Sequence, residues 1–335
     1  MNPNPVFQIK DTKRLVPEYL MMWFRRPEFD REACFHAVGG VRGSLEWEDF
    51  CNLRLPVPSP EKQREIVAEY ETVVKRIALN EKLGRKLEET AQAIYKHWFV
   101  DFEFPMSAED AKKLGKPELE GKPYKSSGGE IVFEDALQQA IPERWVATSV
   151  ASFCADMKSG GTPNRDTPEF WNSRDIPWLK TGELTNSVVV DSEEYISLKG
   201  LRSSSARIFE KNTVLVALYG DGKTKGQVAY LRFESATNQA SCGLKCSSQS
   251  ESSYLFYFLR FNKDMITNQA NGGAQANLSK DLIGSLKFAK PSKEILERHP
   301  FVKLLDESEH LIRETLFLTK LRDLILSRLA QTSQL

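Results

Sequence analysis

The sequence lacks any imbalance of charge: 46 Lys and Arg meet 46 Asp and Glu over 335 residues. No global attraction to nucleic acid or to an anionic membrane follows, so a polyanion site would have to be a local patch. A cysteine framework is missing too. Cys34, Cys51, Cys154, Cys242 and Cys246 are odd in number and scattered, and neither Cys242 nor Cys246 has a nearby histidine or a second cysteine pair. Zinc is therefore not expected and reduced thiols are. Long apolar runs are also absent: MNPNPVFQIK carries no signal-peptide core, and no stretch of about 18 apolar residues could span a bilayer. The expectation is a soluble, cytoplasmic protein with no membrane partner, long enough for about two domains.

Catalytic signatures are sparse. No glycine-rich turn follows a first strand to hold a nucleoside cofactor, and His36, His97, His299 and His310 share no evident site. Ser159-Gly160-Gly161 has no histidine and acid nearby and reads as a turn. Ala217-Leu-Tyr-Gly-Asp-Gly222-Lys223-Thr224 meets a relaxed phosphate-loop pattern. The β-rich GQVAYLRF follows it, however, where a helix should present its N-terminal amides. A nucleotide-dependent hydrolase thus ranks last among the readings, and a loop between two strands that presents lysines fits better.

What is present is a long helical signal. Over residues 60–98 the apolar side chains Ile66, Tyr70, Val73, Ile77, Leu87, Ala91, Ile94 and Trp98 recur in steps of three and four, with Asn80 and Gly84 at the two remaining seam positions. At about 1.5 Å per residue this helix runs roughly 58 Å, far beyond the average globular helix, and reads as a strut. One such stripe alone is more often an ordinary amphipathic helix on a core. A second copy changes that. At a constant offset of 231, Pro60 matches Pro291, Tyr70 matches Phe301, Val73 matches Leu304, Leu87 matches Leu318 and Ile94 matches Ile325. Two such stripes are best covered by each other, with Leu311 on the second seam.

The repeat reaches upstream. PEYLMMWFRRPEF, HAVGGVRGS and LEWEDFCNLRLPVP return in order as SSYLFYFLRFNKDM, NQANGGAQANLSKDL and IGSLKFAKP, with Tyr19-Leu20 matching Tyr254-Leu255 at offset 235. The first copy lacks about a hundred residues that precede this block in the second. Between the copies, AEDAKKLGKPELEGKPYKSSGGE reads as an exposed linker. After IPERW the short apolar runs IPWL, SVVV, TVLVALY and QVAYLRF are strand signals, so the class is mixed α/β, or α+β. The expected domains are a remnant at 1–58, a first long helix at 59–99, a linker at 100–140, a complete domain at 141–290 and a second long helix at 291–335.

LRLPVPSPEKQREIV, AIYKHWFVDFEFP, IPERW, SGGTPNRDTPEFW, IPWLKTGEL, NQASCGL, ANLSKDLIGSLKFAKP and LRDLILSRL cover nearly the whole chain in that order. Together they resemble the DNA-specificity subunit of type I restriction-modification systems. The resemblance implies two target-recognition domains that read the halves of an interrupted DNA site. It also implies two long helices, paired as an antiparallel coiled coil, that set the spacing and dock the methyltransferase (modification) subunits. S-adenosylmethionine would then sit on those subunits, ATP and Mg on or beside the restriction subunit, and none of the three on this chain. The unmatched front of the first recognition domain leaves one complete reader. Bipartite reading would need a second copy or another specificity chain, and a silent fragment that docks the methyltransferase without reading a site is the alternative.

The complete domain carries 18 Lys and Arg against 15 Asp and Glu, with Lys199, Arg202, Arg207, Lys211, Lys223, Lys225 and Arg232 in one run. Such a run is more often a solvated face, but with the resemblance it becomes a candidate for phosphate contact. Base reading needs guanidinium and amide groups on loops. The DNA-binding candidates are Arg165, Lys180, Thr181, Tyr219, Lys223, Lys225, Asn238, Gln239, Gln275 and Asn277. Taken singly, the asparagines are more often turn formers.

Overall fold

A computed structural model of the chain describes residues 6–36, 45, 47–220, 224–271 and 277–329. The chain divides into two compact units, Met1–Gly84 with Leu311–Leu335, and Arg85–His310. Among its described residues the first unit is helical. It holds α1 (Pro17–Phe24), α2 (Pro27–His36), α3 (Trp47–Asn52), the first part of α4 (Pro60–Tyr95) and the last part of the closing helix Phe301–Arg328. Tyr19, Met22, Trp23, Tyr70, Leu326 and Leu329 form its core, with Ile66, Val67, Val74 and Ile325 packed against them. One polar side chain ties the upstream block to α4. Gln63, fully buried, accepts from Val16 N and donates to Arg14 O and Pro58 O, each at 2.8 Å.

Within this unit the two long helices run antiparallel, since Tyr70 clusters with Leu326 while Arg76 and Asn80 meet Glu314. The spacing of three and four does set the buried side. Val73 is buried with Tyr70, Ile77 is half-buried, and Leu311, Leu318 and Ile325 are half-buried on the other helix. Asn80 is 1% exposed, donates to Glu314 Oε2 at 2.8 Å and leaves its own Oδ1 without a partner. A buried polar seam residue fixes register at a cost in stability. Asn80→Leu is expected to raise stability by about 1 kcal/mol. A lowered unfolding midpoint in urea would show that the Glu314 contact outweighs the orphaned carbonyl.

In the second unit α4 ends in a π-helical turn, Lys96–Val100, which swings Phe99 onto Tyr254 and Trp145, at ring separations of 4.9 and 5.9 Å. Ala91 of the expected seam is fully buried here and Leu87, Ile94 and Trp98 are half-buried, while Tyr95 and Phe99, off that seam, are buried as well. Residues 100–140, expected as an exposed linker, instead fold onto the domain. They form α5 (Ala108–Lys113) and β1 (Ile131–Glu134), which pairs antiparallel with β2 (Gln139–Pro142). A mean composition rich in charge hid its sparse anchors. Phe102, Phe104, Met106, Ala111 and Tyr124 are all buried, and Phe104 stacks on Tyr124 at 4.6 Å and on Trp145 at 5.2 Å.

Then follow β3 (Val146–Ser149), α6 (Val150–Phe153), β4 (Asp156–Ser159), β5 (Ile176–Leu179), β6 (Ser187–Val189), β7 (Glu194–Ile196) and α7 (Leu198–Arg202). After them come β8 (Val214–Ala217), β9 (Val228–Leu231), β10 (Ala236–Thr237) and β11 (Ser241–Lys245). The chain closes with α8 (Gln249–Phe261), α9 (Lys263–Asn271), α10 (Lys280–Ser285), β12 (Lys287–Lys290), α11 (Lys293–Arg298) and α12 (Phe301–Arg328). Five strands make one sheet in the order β4-β11-β8-β9-β6, and three make another, β10-β5-β7. Every residue of β8 and β9 is buried, as expected of continuous runs of β-branched and aromatic residues covered on both faces. The Phe256 ring of α8 packs edge-on against Tyr230 of β9 at 5.7 Å. The fold class is thus mixed α/β with long paired helices, as the sequence led us to expect.

The second long helix does not run unbroken from 291. Pro300 has no N–H to give and excludes the helical region for the residue before it, so His299 is extended (φ −66°, ψ 148°) and α11 is separated from α12. Phe301, fully buried, then stacks between Tyr257 at 4.5 Å and Phe99 at 5.8 Å, and Leu304 beyond it is half-buried. His299 fills the corner as a neutral ring. Its Nδ1 accepts from Phe301 N at 3.4 Å, so Nε2 carries the proton toward Ser250 O at 3.1 Å. Burial holds its pKa down to about 4, against the ordinary value near 6.5. Below pH 6.5 the unfolded chain takes up a proton that the folded chain refuses. Stability should therefore fall between pH 6.5 and pH 4, by about 3 kcal/mol from this group. The difference in stability between pH 7 and pH 4.5 should shrink in His299→Gln, and an equal loss in both proteins would count against this assignment.

Candidate nucleic-acid interface

The site is built at the carboxyl ends of β5 and β10, a parallel pair joined at Trp178–Ala236 and Leu179–Thr237. Lys180 and Thr181 leave β5 there, and Asn238 and Gln239 leave β10. The two exits are tied together, because Asn238 N and Thr237 Oγ1 both donate to Leu179 O, at 3.2 and 3.0 Å. Glu183 shapes the first exit by accepting from Lys180 N at 2.8 Å and from Glu193 N at 3.0 Å. Ser159, expected with Gly160 and Gly161 as a turn, instead ends β4, and the two glycines that follow it lie against the second exit. A Cβ at Gly160 would sit 2.2 Å from Thr237 O, so only glycine permits the approach, and Gly161 N donates to that same oxygen at 2.8 Å. Thr162 Oγ1 then reaches Gln239 Oε1 at 2.5 Å.

The loop that these glycines open delivers Arg165. Two indoles hold the loop, with Trp178 Nε1 donating to Gly161 O and Trp171 Nε1 to Asn164 O, both at 3.0 Å. The Arg165 guanidinium lies over the Trp171 ring, 3.6 Å from its centroid, and Nη1 donates to Glu194 Oε2 at 2.5 Å. Lys180 Nζ reaches the other oxygen of Glu194 at 3.1 Å and Glu193 Oε2 at 3.0 Å. Burial pushes the Glu194 carboxyl up, but hydrogen bonds from Arg165 and Lys180 outweigh it and leave the group below the ordinary carboxylate range. The hydrogen bonds that Lys180 donates to Glu193 and Glu194 raise its ammonium in turn. Arg174 over Tyr195, at 4.4 Å, completes a cleft of about 340 Å³ lined by Arg165, Trp171, Glu193 and Glu194.

Leu218 links the remaining loops to this edge. Its N–H donates to Ala240 O at 2.8 Å, and its carbonyl accepts from Leu278 N at 2.9 Å. Tyr219 and Asn277, both exposed, are therefore set beside Gln239. Lys225 is half-buried on the far limb of the β8–β9 connection. Lys223 and Gln275 lie outside the described residues. β9 follows this connection, and among the described residues no helix presents its amides to a phosphate there.

Two members of the basic run are committed elsewhere. Lys199 is paired with Glu169 at 2.7 Å. Arg232, with a side chain only 1% exposed, pairs with Asp306 and stands 2.7 Å from Glu309 Oε2, both on α12. It is a structural cation, and a count of lysines and arginines could not reveal that. Sequence reasoning also missed Trp171, Trp178 and Glu194. An arginine followed by two tryptophans in strand-and-turn context, R-D-T-P-E-F-W and I-P-W, was the available signal for a stacked guanidinium.

Cations, amides and a phenol are carried on loops of a sheet, the residue types that contact phosphates and base edges in a duplex-reading module. Among the described residues, no group of three or more His, Cys, Asp or Glu is placed to hold a metal ion, and no helix is long and apolar enough to cross a membrane. Residues 142–310, half of the chain, match the family model described as the type I restriction modification DNA specificity domain. The chain belongs to that family. It is 24% identical over 332 residues to the HindI specificity subunit of Haemophilus influenzae, covering 87% of this chain and 71% of that protein. The MjaIX specificity subunit of Methanocaldococcus jannaschii is 22% identical over 318 residues, covering 94% and 68%. The crystal structure of the type I S subunit from M. genitalium shares the fold, with a TM-score of 0.59 at 17% identity over 96% of this chain and 74% of that one. The chain is accordingly a type I specificity subunit, a DNA-recognition component without catalysis of its own.

Proposed function

We propose that this chain reads one half of an interrupted DNA site through the loops that carry Arg165, Lys180, Thr181, Tyr219, Asn238, Gln239 and Asn277. Lys225 adds phosphate attraction. The observation that carries this reading is the stitching of four separate loops along one edge, through Leu179 O and both backbone polar atoms of Leu218. A reader of bases must hold its donors in a fixed register, and hydrogen bonds between the loops supply that stiffness. The paired long helices are the surface for methyltransferase subunits, which would bring S-adenosylmethionine, with ATP and Mg serving the restriction subunit. The expected place of work is the cytoplasm. Mapping methylated bases in cells with and without this gene tests the reading. Loss of one interrupted motif on deletion is the expected result, and an unchanged map would assign the chain to silent or assembly-only fragments.

A further inference from the structure

Glu194 opens β7, paired with Trp178 of β5, and Ser192 Oγ lies between Trp178 O at 2.9 Å and Glu194 O at 2.8 Å. Its backbone is therefore fixed on the strand pair that carries Lys180. Its carboxylate is the meeting point of two cations from different loops, Arg165 on one oxygen and Lys180 on the other. The carboxylate is also the most enclosed of the three, at 29% exposed against 48% and 39% for the cations. Isolated surface pairs contribute little to stability. This one has another consequence, because a cation already satisfied by a carboxylate has little left to offer a passing phosphate.

We propose that Glu194 is a specificity-determining positioning residue, which neutralises Arg165 and Lys180 on non-cognate DNA and releases them only to correctly placed base acceptors. A phosphate offers each cation no more than Glu194 already does. A purine edge that accepts two hydrogen bonds from the Arg165 fork offers more, so the exchange favours the cognate site. Discrimination is the difference between cognate and non-cognate binding, and Glu194 widens it by lowering the second. The inference rests on the reading that Arg165 and Lys180 face DNA.

The test is binding of the full chain to a duplex of random sequence, followed by fluorescence anisotropy across a salt series. Glu194→Gln keeps the shape and removes the charge. It is expected to bind about ten-fold more tightly at low salt, with log K against log salt steeper by about one for the freed Arg165, since Lys180 keeps its pair with Glu193 at 3.0 Å. Glu194→Asp, which keeps the charge, should return toward the parent slope. Arg165→Ala should barely move the slope in the parent but lower it by about one in the Glu194→Gln background, an outcome that a merely structural role for Glu194 does not produce. Equal affinity and slope for parent and Glu194→Gln, while Arg165→Ala with Lys180→Ala still weakens cognate binding, would overturn the proposal and leave the reading standing. If that double variant also leaves cognate binding unchanged, the reading itself fails.

Discussion

Arg232→Ala should lower the stability of the protein by about 3 kcal/mol, the low end of what breaking a buried ion pair costs. The guanidinium is 99% removed from solvent by burial, with Asn212 Oδ1 accepting from Nη1 at 3.1 Å and with Asp306 and Glu309, one turn apart on α12, on its other side. Truncation leaves Glu309, only 15% exposed, facing a hole where its counter-charge stood. Asp306 is 47% exposed and can rehydrate, which is why the low end applies. The contrast is Lys199→Ala. Its pair with Glu169 is 62% and 54% exposed, and its loss should change stability by no more than about 0.5 kcal/mol. Urea unfolding of both variants reads the difference, and a loss below about 1 kcal/mol for Arg232→Ala would show that the site relaxes or floods with water.

The second large effect is on binding. Arg165→Ala combined with Lys180→Ala should weaken binding to the cognate duplex by about a hundred-fold, since each good base contact discriminates by about 1–3 kcal/mol. Folding should survive, because both side chains are 39% or more exposed and the loops are held by Trp171, Trp178 and the Leu179 carbonyl instead. Gel-shift titration at fixed salt, with circular dichroism as the check on folding, separates the two. Undiminished affinity in a folded variant would remove this pair from the interface.

The legible part of this molecule was its periodicity. Steps of three and four from Ile66 to Ile77 put those residues on the buried side of α4, because a helical stripe faces its partner whatever the rest of the fold does. The match of PEYLMMWF to SSYLFYFLRF likewise falls on a helix in each copy, α1 in one and α8 in the other. Three things were hidden. The break at Pro300 is written in E-R-H-P-F, but the repeat with residues 60–98, which has no proline at the matching position, masked it. The stretch 100–140 reads as polar on average, and averages do not register a few buried anchors such as Phe104, Met106 and Tyr124, of which Phe104 stacks on both Tyr124 and Trp145.

The third hidden feature was pairing. Arg232 and Arg165 look alike in a charge count, yet one is buried against α12 and the other, half exposed, lies on the half-buried Trp171 beside Glu194. Tertiary neighbours decide which cation is free to meet a ligand, and those neighbours are 74 residues away for Arg232 and 29 for Arg165. The candidate residues Arg165, Lys180, Thr181, Asn238 and Gln239 do converge, through β5 and β10, which come together only because the short strands pair in parallel across a long excursion.

Selection of bound duplexes from a randomised pool by the full-length chain tests the account most directly. Enrichment of one short set of fixed bases is expected with the parent protein, and its loss is expected with Arg165→Ala and Lys180→Ala together. A parent chain that enriches no sequence, or a double variant that enriches the same one, would contradict it.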